Sequence, residues 1–210
     1  MAVLGCCAVS LTGCGHSATP AQTSSTATTT NMNADSLIVS LDDVRRIAGV
    51  AALTDASRPA VQPKHFTSDA PGPCASVSDQ QAIFDDHWTQ FRSVAYSGDS
   101  YSGVGDVKIR AVADVVQSVG VYPTNDAARA TFDRLVPDLK ACPGLHARNY
   151  DFTVQQPDAS TVVLEFPGRS PWKTAYRVKS SVLVNVAALG FSQAEQTAET
   201  VLQNITDRIK

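Results

Sequence analysis

Val182-Leu-Val-Asn-Val-Ala-Ala-Leu189 decides the fold. The segment is apolar on both of its alternating faces except at Asn185, so both faces must be covered. That describes a strand in the middle of a sheet. Its partners lie just upstream: Thr174–Ser180, Thr161–Phe166 and Arg148–Gln155 are short runs separated by turn residues. Connections this short favour antiparallel pairing. Downstream, Ser192-Gln-Ala-Glu195 has the form of a capping box. It opens a helix towards Ile209 with Ala194, Ala198, Val201, Leu202 and Ile205 on its inner face.

Further out, Thr124 caps a second long helix that runs towards Lys140. Ala128, Phe132, Leu135 and Leu139 recur there at helical spacing, and Cys142-Pro143-Gly144 ends it. Val107–Tyr122 predicts a bent strand; Val107, Ile109, Ala111 and Ala113 first alternate with Lys108, Arg110 and Asp114. Asp85–Tyr96, punctuated by Trp88, Phe91 and Tyr96, predicts another. Ser97–Gly105, rich in Gly and Ser, predicts a turn. Residues 54–76, with four prolines from Pro59 to Pro73, predict a loop carrying Cys74. Ser40, then Asp42 and Asp43, then Arg45 and Arg46, and finally Gly49 spell a short helix with a cap, acids first and bases last. The expected fold class is α+β. A single curved antiparallel sheet packs against two long helices plus a short N-terminal helix, in one domain over residues 37–210.

Composition excludes several functions. Apolar residues make up 43% of the 210, enough for a core, and the formal net charge is −3. No run of Lys and Arg exists to displace phosphate counterions, so no nucleic-acid partner is expected. No apolar stretch approaches the roughly 20 residues that span a bilayer.

The N-terminus points to the membrane by another route. An apolar segment, Met1–Ser10, leads into Leu11-Thr12-Gly13-Cys14. This resembles a bacterial lipobox, in which the cysteine is diacylated and becomes the mature N-terminus. Two acyl chains hold a protein on a membrane where one is marginal. Residues 1–13 are then a signal peptide, and 14–36 a lipidated cysteine with a Thr- and Ser-rich tether that cannot bury a core. A signal peptide has a basic n-region, and no Lys or Arg precedes Cys14. The expected start therefore lies upstream of Met1. The expected location is the extracytoplasmic face of the cell membrane, as a lipid-anchored monomer.

The cysteines fall into two groups. Cys6, Cys7 and Cys14 belong to the leader, which leaves Cys74 and Cys142 as an even pair. In an oxidising compartment such a pair most simply forms a disulfide; the alternative is two buried thiols.

No catalytic motif is present. The four histidines, His16, His65, His87 and His146, share no metal-ligand spacing. Gly98–Gly105 matches neither G-x-S-x-G nor G-x-G-x-x-G. Asp42-Asp43 and Asp85-Asp86 are sequence neighbours whose side chains point apart, so they make poor acid/base pairs. No cofactor and no metal are expected. What remains is a set of polar and aromatic groups among apolar strands: Gln117, Arg177 and Asn185, with Trp88, Tyr101 and Trp172. Gln117 and Asn185 have two readings: hydrogen bonding to backbone and to each other, or lining a ligand cleft with the rest of the set.

Several motifs carry a resemblance: Pro71-Gly-Pro-Cys74, Val116-Gln-Ser-Val-Gly-Val-Tyr122, Asn125-Asp-Ala-Ala-Arg129, Ala141-Cys-Pro-Gly144, Tyr176-Arg177 and Val184-Asn-Val186. Over about residues 37–210 the chain is similar to the extracellular sensor domain of PknH-type mycobacterial receptor kinases, also found in stand-alone mycobacterial lipoproteins. The resemblance implies an α+β fold with a polar cleft for an extracellular ligand, and no catalysis. The receptor kinase's own extracellular domain carries more than one disulfide, whereas this body has cysteines for one. The 210 residues hold no kinase domain, so signalling in cis is not expected. The expected function is a cell-envelope lipoprotein that binds a small molecule or envelope component. The alternatives are a pocketless interaction or scaffold lipoprotein and an unrecognised hydrolase.

Overall fold

A computed structural model describes residues 32–66, 70–104, 107–168 and 171–210. Cys14, the signal segment and the Thr-rich stretch up to Asn31 lie outside the described residues. In chain order the helices are α1 (Ala34–Leu37), α2 (Leu41–Ala48), α3 (Gln80–Phe84), α4 (Asn125–Ala141) and α5 (Ala194–Asp207). The strands are β1 (Thr54–Asp55), β2 (Gln90–Val104), β3 (Val107–Val121), β4 (Thr153–Asp158), β5 (Thr161–Phe166), β6 (Trp172–Lys179) and β7 (Val182–Leu189). Two 3-10 turns, Gly72–Val77 and Cys142–Leu145, flank α3 and α4.

The strands form one antiparallel sheet in the order β1-β2-β3-β7-β6-β5-β4. β7 is interior, as its sequence requires. Val182, Val184, Val186 and Ala188 point into one core, with Ala198, Val201, Leu202 and Ile205 of α5 and Val44 of α2. Leu183 points into the other, with Tyr176, Val162 and Leu164 and with Phe132, Leu135 and Leu139 of α4. The two long helices thus cover opposite faces of the sheet, and the α+β domain has three layers.

Residues 34–39 form a strap across the α5 face, held by side chains from distant strands. Gln90 Oε1 accepts from Ala34 N (3.1 Å), and Arg92 pairs with Asp35 (2.7 Å). Gln117 reads Val39 from both sides: its Oε1 accepts from Val39 N (2.8 Å) and its Nε2 donates to Val39 O (2.7 Å). Tyr96 Oη donates to the same carbonyl (3.0 Å), and Arg208 donates to Ile38 O (2.7 Å). On the α4 face, Tyr176 is fully buried and donates to Val77 O (2.8 Å), while Tyr122 donates to Phe84 O (2.7 Å). Burial pushes both phenols well above the ordinary tyrosine range. Cys74 and Cys142 form a buried disulfide, Cα–Cα 4.9 Å, which ties the first 3-10 turn to the end of α4.

Five expectations change. Within the stretch expected as tether, Ala34 is buried and its N–H is bonded to Gln90, so it packs with the domain. Ser97–Val104, expected as part of a turn, is strand. β2 stays in register with β3 up to Val104↔Val107, because a long partner overrides weak local propensity. Gly98 is required there by a close approach: a Cβ would lie 2.4 Å from Ala52 O. The capping box at Ser192 does not form. The chain turns through Gly190 at φ 86°, and α5 starts after Gln193 with no side-chain cap. Finally, the loop over 54–76 contains β1 and a 3-10 turn, and the strand expected from Asp85 begins only at Gln90, after the short helix α3.

Candidate functional site

An open cleft of about 430 Å³ lies beside the connector from α3 to β2, lined by Gln62, Pro63, Gln81, Asp85, Asp86 and Trp88. Its two walls are far apart in sequence and are joined by two buried residues, Asp79 and Gln80. Gln80 Oε1 accepts from Lys64 N (3.0 Å), and Asp79 takes His65 through its carboxylate, so the segment carrying Gln62 and Pro63 is fastened to the start of α3. Gln80 in turn donates to Ser93 Oγ on β2 (2.8 Å).

The second wall is pinned at nearly every residue. Arg134 donates to Ala82 O (2.9 Å), Tyr122 to Phe84 O, and Trp88 Nε1 to Asp85 O (3.1 Å). The Asp85 carboxylate accepts from Thr131 Oγ1 (2.7 Å) and from His87 N (2.7 Å). Asp85 itself sits at φ 52°, ψ −147°. That region is close to glycine-only and persists where surrounding contacts over-determine it. Asp85 and Asp86 point apart, as sequence neighbours do: the first turns inward and the second is 92% exposed. Among the described residues, the side-chain amides of Gln62 and Gln81 make no hydrogen bond to protein. The indole of Trp88 packs obliquely on Phe91, ring centroids 6.0 Å apart, and half-buries there. The wall is held by many contacts, and the cleft offers an aromatic surface, two amides and the Asp86 carboxylate, with the Asp85 carboxylate already engaged. Lys and Arg are not among the lining residues.

Of the residues singled out from sequence, only Trp88 lies here. Gln117 and Arg177 are on the α5 face. Gln117 is satisfied by Val39, while Arg177 donates to Thr161 Oγ1 (2.9 Å) and Gln203 Oε1 (3.0 Å). Asn185 is on the α4 face, in register with Ser118 and Tyr176, and reaches Ala175 O at 3.4 Å. The three therefore do not share a cleft. Gln117 and Asn185 bond to backbone, as one reading required, but lie on opposite faces of the sheet. Tyr101 is 64% exposed on the β2–β3 ribbon, and Trp172 stacks on Phe166 with centroids 3.7 Å apart. The sequence reading missed Gln62, Gln81 and the outward Asp86. The available signal was the long Pro-rich segment, since long loops in compact domains are commonly functional. It also missed Lys173, buried under α5 between Glu199 (2.8 Å) and Glu165 (3.3 Å). Burial opposes its charge, but those two carboxylates override it and raise the amine above its ordinary range.

The sheet, with helical layers on both faces and one disulfide, defines a three-layer α+β domain. The sequence then places it in one family: the chain belongs to the PknH-like extracellular domain family, whose profile matches residues 29–208. A comparison of structures finds the crystal structure of the extracellular domain of PknH from Mycobacterium tuberculosis. The TM-score is 0.61 at 19% identity, over 83% of this chain and 95% of that one. At that identity the likeness establishes the fold. A comparison with curated proteins finds no match. Among the described residues no helix is long and apolar enough to cross a membrane, and no three His, Cys, Asp or Glu side chains converge as a metal site requires.

Proposed function

We propose that the protein is a lipid-anchored, extracytoplasmic binding module that takes a small polar ligand in the Trp88 cleft and catalyses nothing. The observation that carries this reading is the pinned connector, which holds Trp88 beside the amides of Gln62 and Gln81, neither of them bonded to protein among the described residues. Rigid support around free polar groups is what a preorganised binding site needs. Membership of an extracellular domain family supports the location, and the lipobox-like Leu11–Cys14 supports the anchor.

One preparation tests both halves. The full chain is expressed in a bacterial host that processes lipoproteins. Cys14→Ser is expected to move the protein from the membrane to the soluble fraction; a variant that stays with the membrane would refute the anchor. Mass spectrometry of the native protein is expected to find a co-purifying small molecule that is lost in Trp88→Ala while the circular dichroism stays unchanged. Retention of that molecule by Trp88→Ala refutes the cleft. The β2–β3 ribbon favours a second reading, an interaction protein. Beyond Asp114, β3 no longer pairs with β7, and the ribbon exposes Tyr101, Ile109 and Val112.

A further inference from the structure

Resting on the cleft as a binding site, we infer that its ligand is a neutral sugar, docked with one ring face on Trp88 and its hydroxyls on Gln62, Gln81 and Asp86. The chemistry of the lining discriminates between ligand classes. An anion such as a phosphate or a carboxylate needs Lys, Arg or converging backbone amides. The lining holds two carboxylates and neither basic residue, so anions are repelled.

A cation needs an aromatic face and acceptors and has no use for amide donors. Here the amides of Gln62 and Gln81 each bring an NH₂ donor beside a carbonyl acceptor, and among the described residues neither is engaged with protein. A sugar hydroxyl donates and accepts at once, so it is the ligand group that uses both amides and carboxylates. The C–H face of a pyranose is the apolar counterpart that an indole covers. Trp88 supplies that surface next to the buried ring of Pro63, and its own N–H is already spent on Asp85 O, so the ring is fixed as a platform. The opening also fits: the cleft is broad and solvent-facing, which suits a flat polar ring better than a lipid chain. Asp86 is 92% exposed, and among the described residues its only charged neighbour is His87 at 3.6 Å, so it can accept.

The test uses intrinsic fluorescence. The chain has two tryptophans, so Trp172→Phe, which retains a ring to stack on Phe166, leaves Trp88 as the only indole. Neutral monosaccharides (hexoses and pentoses) and their short oligomers are titrated in, with simple amines and inorganic phosphate as comparison arms. Saturation-transfer NMR identifies which ligand protons touch the protein. The expected result is a saturable shift of Trp88 emission with at least one sugar, transfer to C–H protons on one ring face, and a loss of affinity of about tenfold in Gln81→Ala. In Trp88→Ala the NMR transfer is expected to vanish while the fold persists. If amines or phosphate bind at Trp88 and sugars do not, the sugar assignment is overturned and the cleft stands. If Trp88 responds to none of these, the sugar assignment is again overturned. If it also ignores the co-purifying molecule, the binding reading falls with it.

Discussion

Replacing Cys74 and Cys142 together by alanine is expected to lower the stability of the domain by about 4 kcal/mol. The bridge closes a loop of sequence separation 68, and in the chain-entropy picture its main effect is to restrict the unfolded chain. For a domain of this size that corresponds to a fall in Tm of roughly 10 °C. Calorimetry of the double variant against the oxidised parent measures it. Reductant alone is a poor substitute, because both sulfurs are buried and the folded state shields them. Loss should concentrate where the bridge acts, at the first 3-10 turn. That turn carries the carbonyls to which Tyr176 donates, and it borders α3 and the cleft wall. A fall in Tm below about 3 °C would remove the bridge from the main supports of the fold.

Gln117→Leu is the next most damaging change. Leucine fits the space and the apolar surroundings, so the effect isolates the hydrogen bonds. Val39 is fully buried. Its carbonyl keeps Tyr96 as a partner, but its N–H loses Gln117 and has no other among the described residues. An orphaned buried donor plus the lost bonds costs about 2–3 kcal/mol. The strap should loosen first, so amide exchange at residues 36–39 is expected to accelerate beyond what global unfolding explains. Unchanged exchange there, or a cost below about 0.5 kcal/mol, would show that the strap is held by burial of Ala34, Leu37 and Val39 instead.

The contrast between what was legible in the sequence and what was not has a physical basis. β5 and β7 were read to the residue, and α2 and α4 to within a residue or two, because apolar period and capping chemistry are local. Ser40 and Thr124 do cap their helices, and Gly49 ends α2 in the left-handed region. What failed is non-local. β2 extends past Gly98 and Gly103 only because β3 lies beside it. Likewise, the sequence shows that Gln117, Arg177 and Asn185 are polar within strands but not which way each strand faces. A register argument across β3, β7 and β6 was needed to send Asn185 to one face and the other two to the opposite one. The cleft was hidden for a similar reason. Gln62 and Gln81 meet through Asp79 and Gln80, whose contacts with His65 and Lys64 no periodicity announces. Asp85 and Asp86 were set aside as an acid/base pair, which drew attention away from their place beside Trp88.

The strap has a consequence for the order of folding. Its carbonyls at residues 37 and 38 wait for Arg208, some 170 positions later, and Val39 waits for Gln117, 78 positions later. The strap is therefore made before these partners and cannot settle until β3 and the far end of α5 exist. Contacts so distant in sequence are slow to form. A chain stalled or cut before residue 208 lacks the Arg208 bonds to Leu37 O and Ile38 O and is expected to hold the strap less tightly, a ready handle for quality-control proteases and a built-in mark of an unfinished molecule.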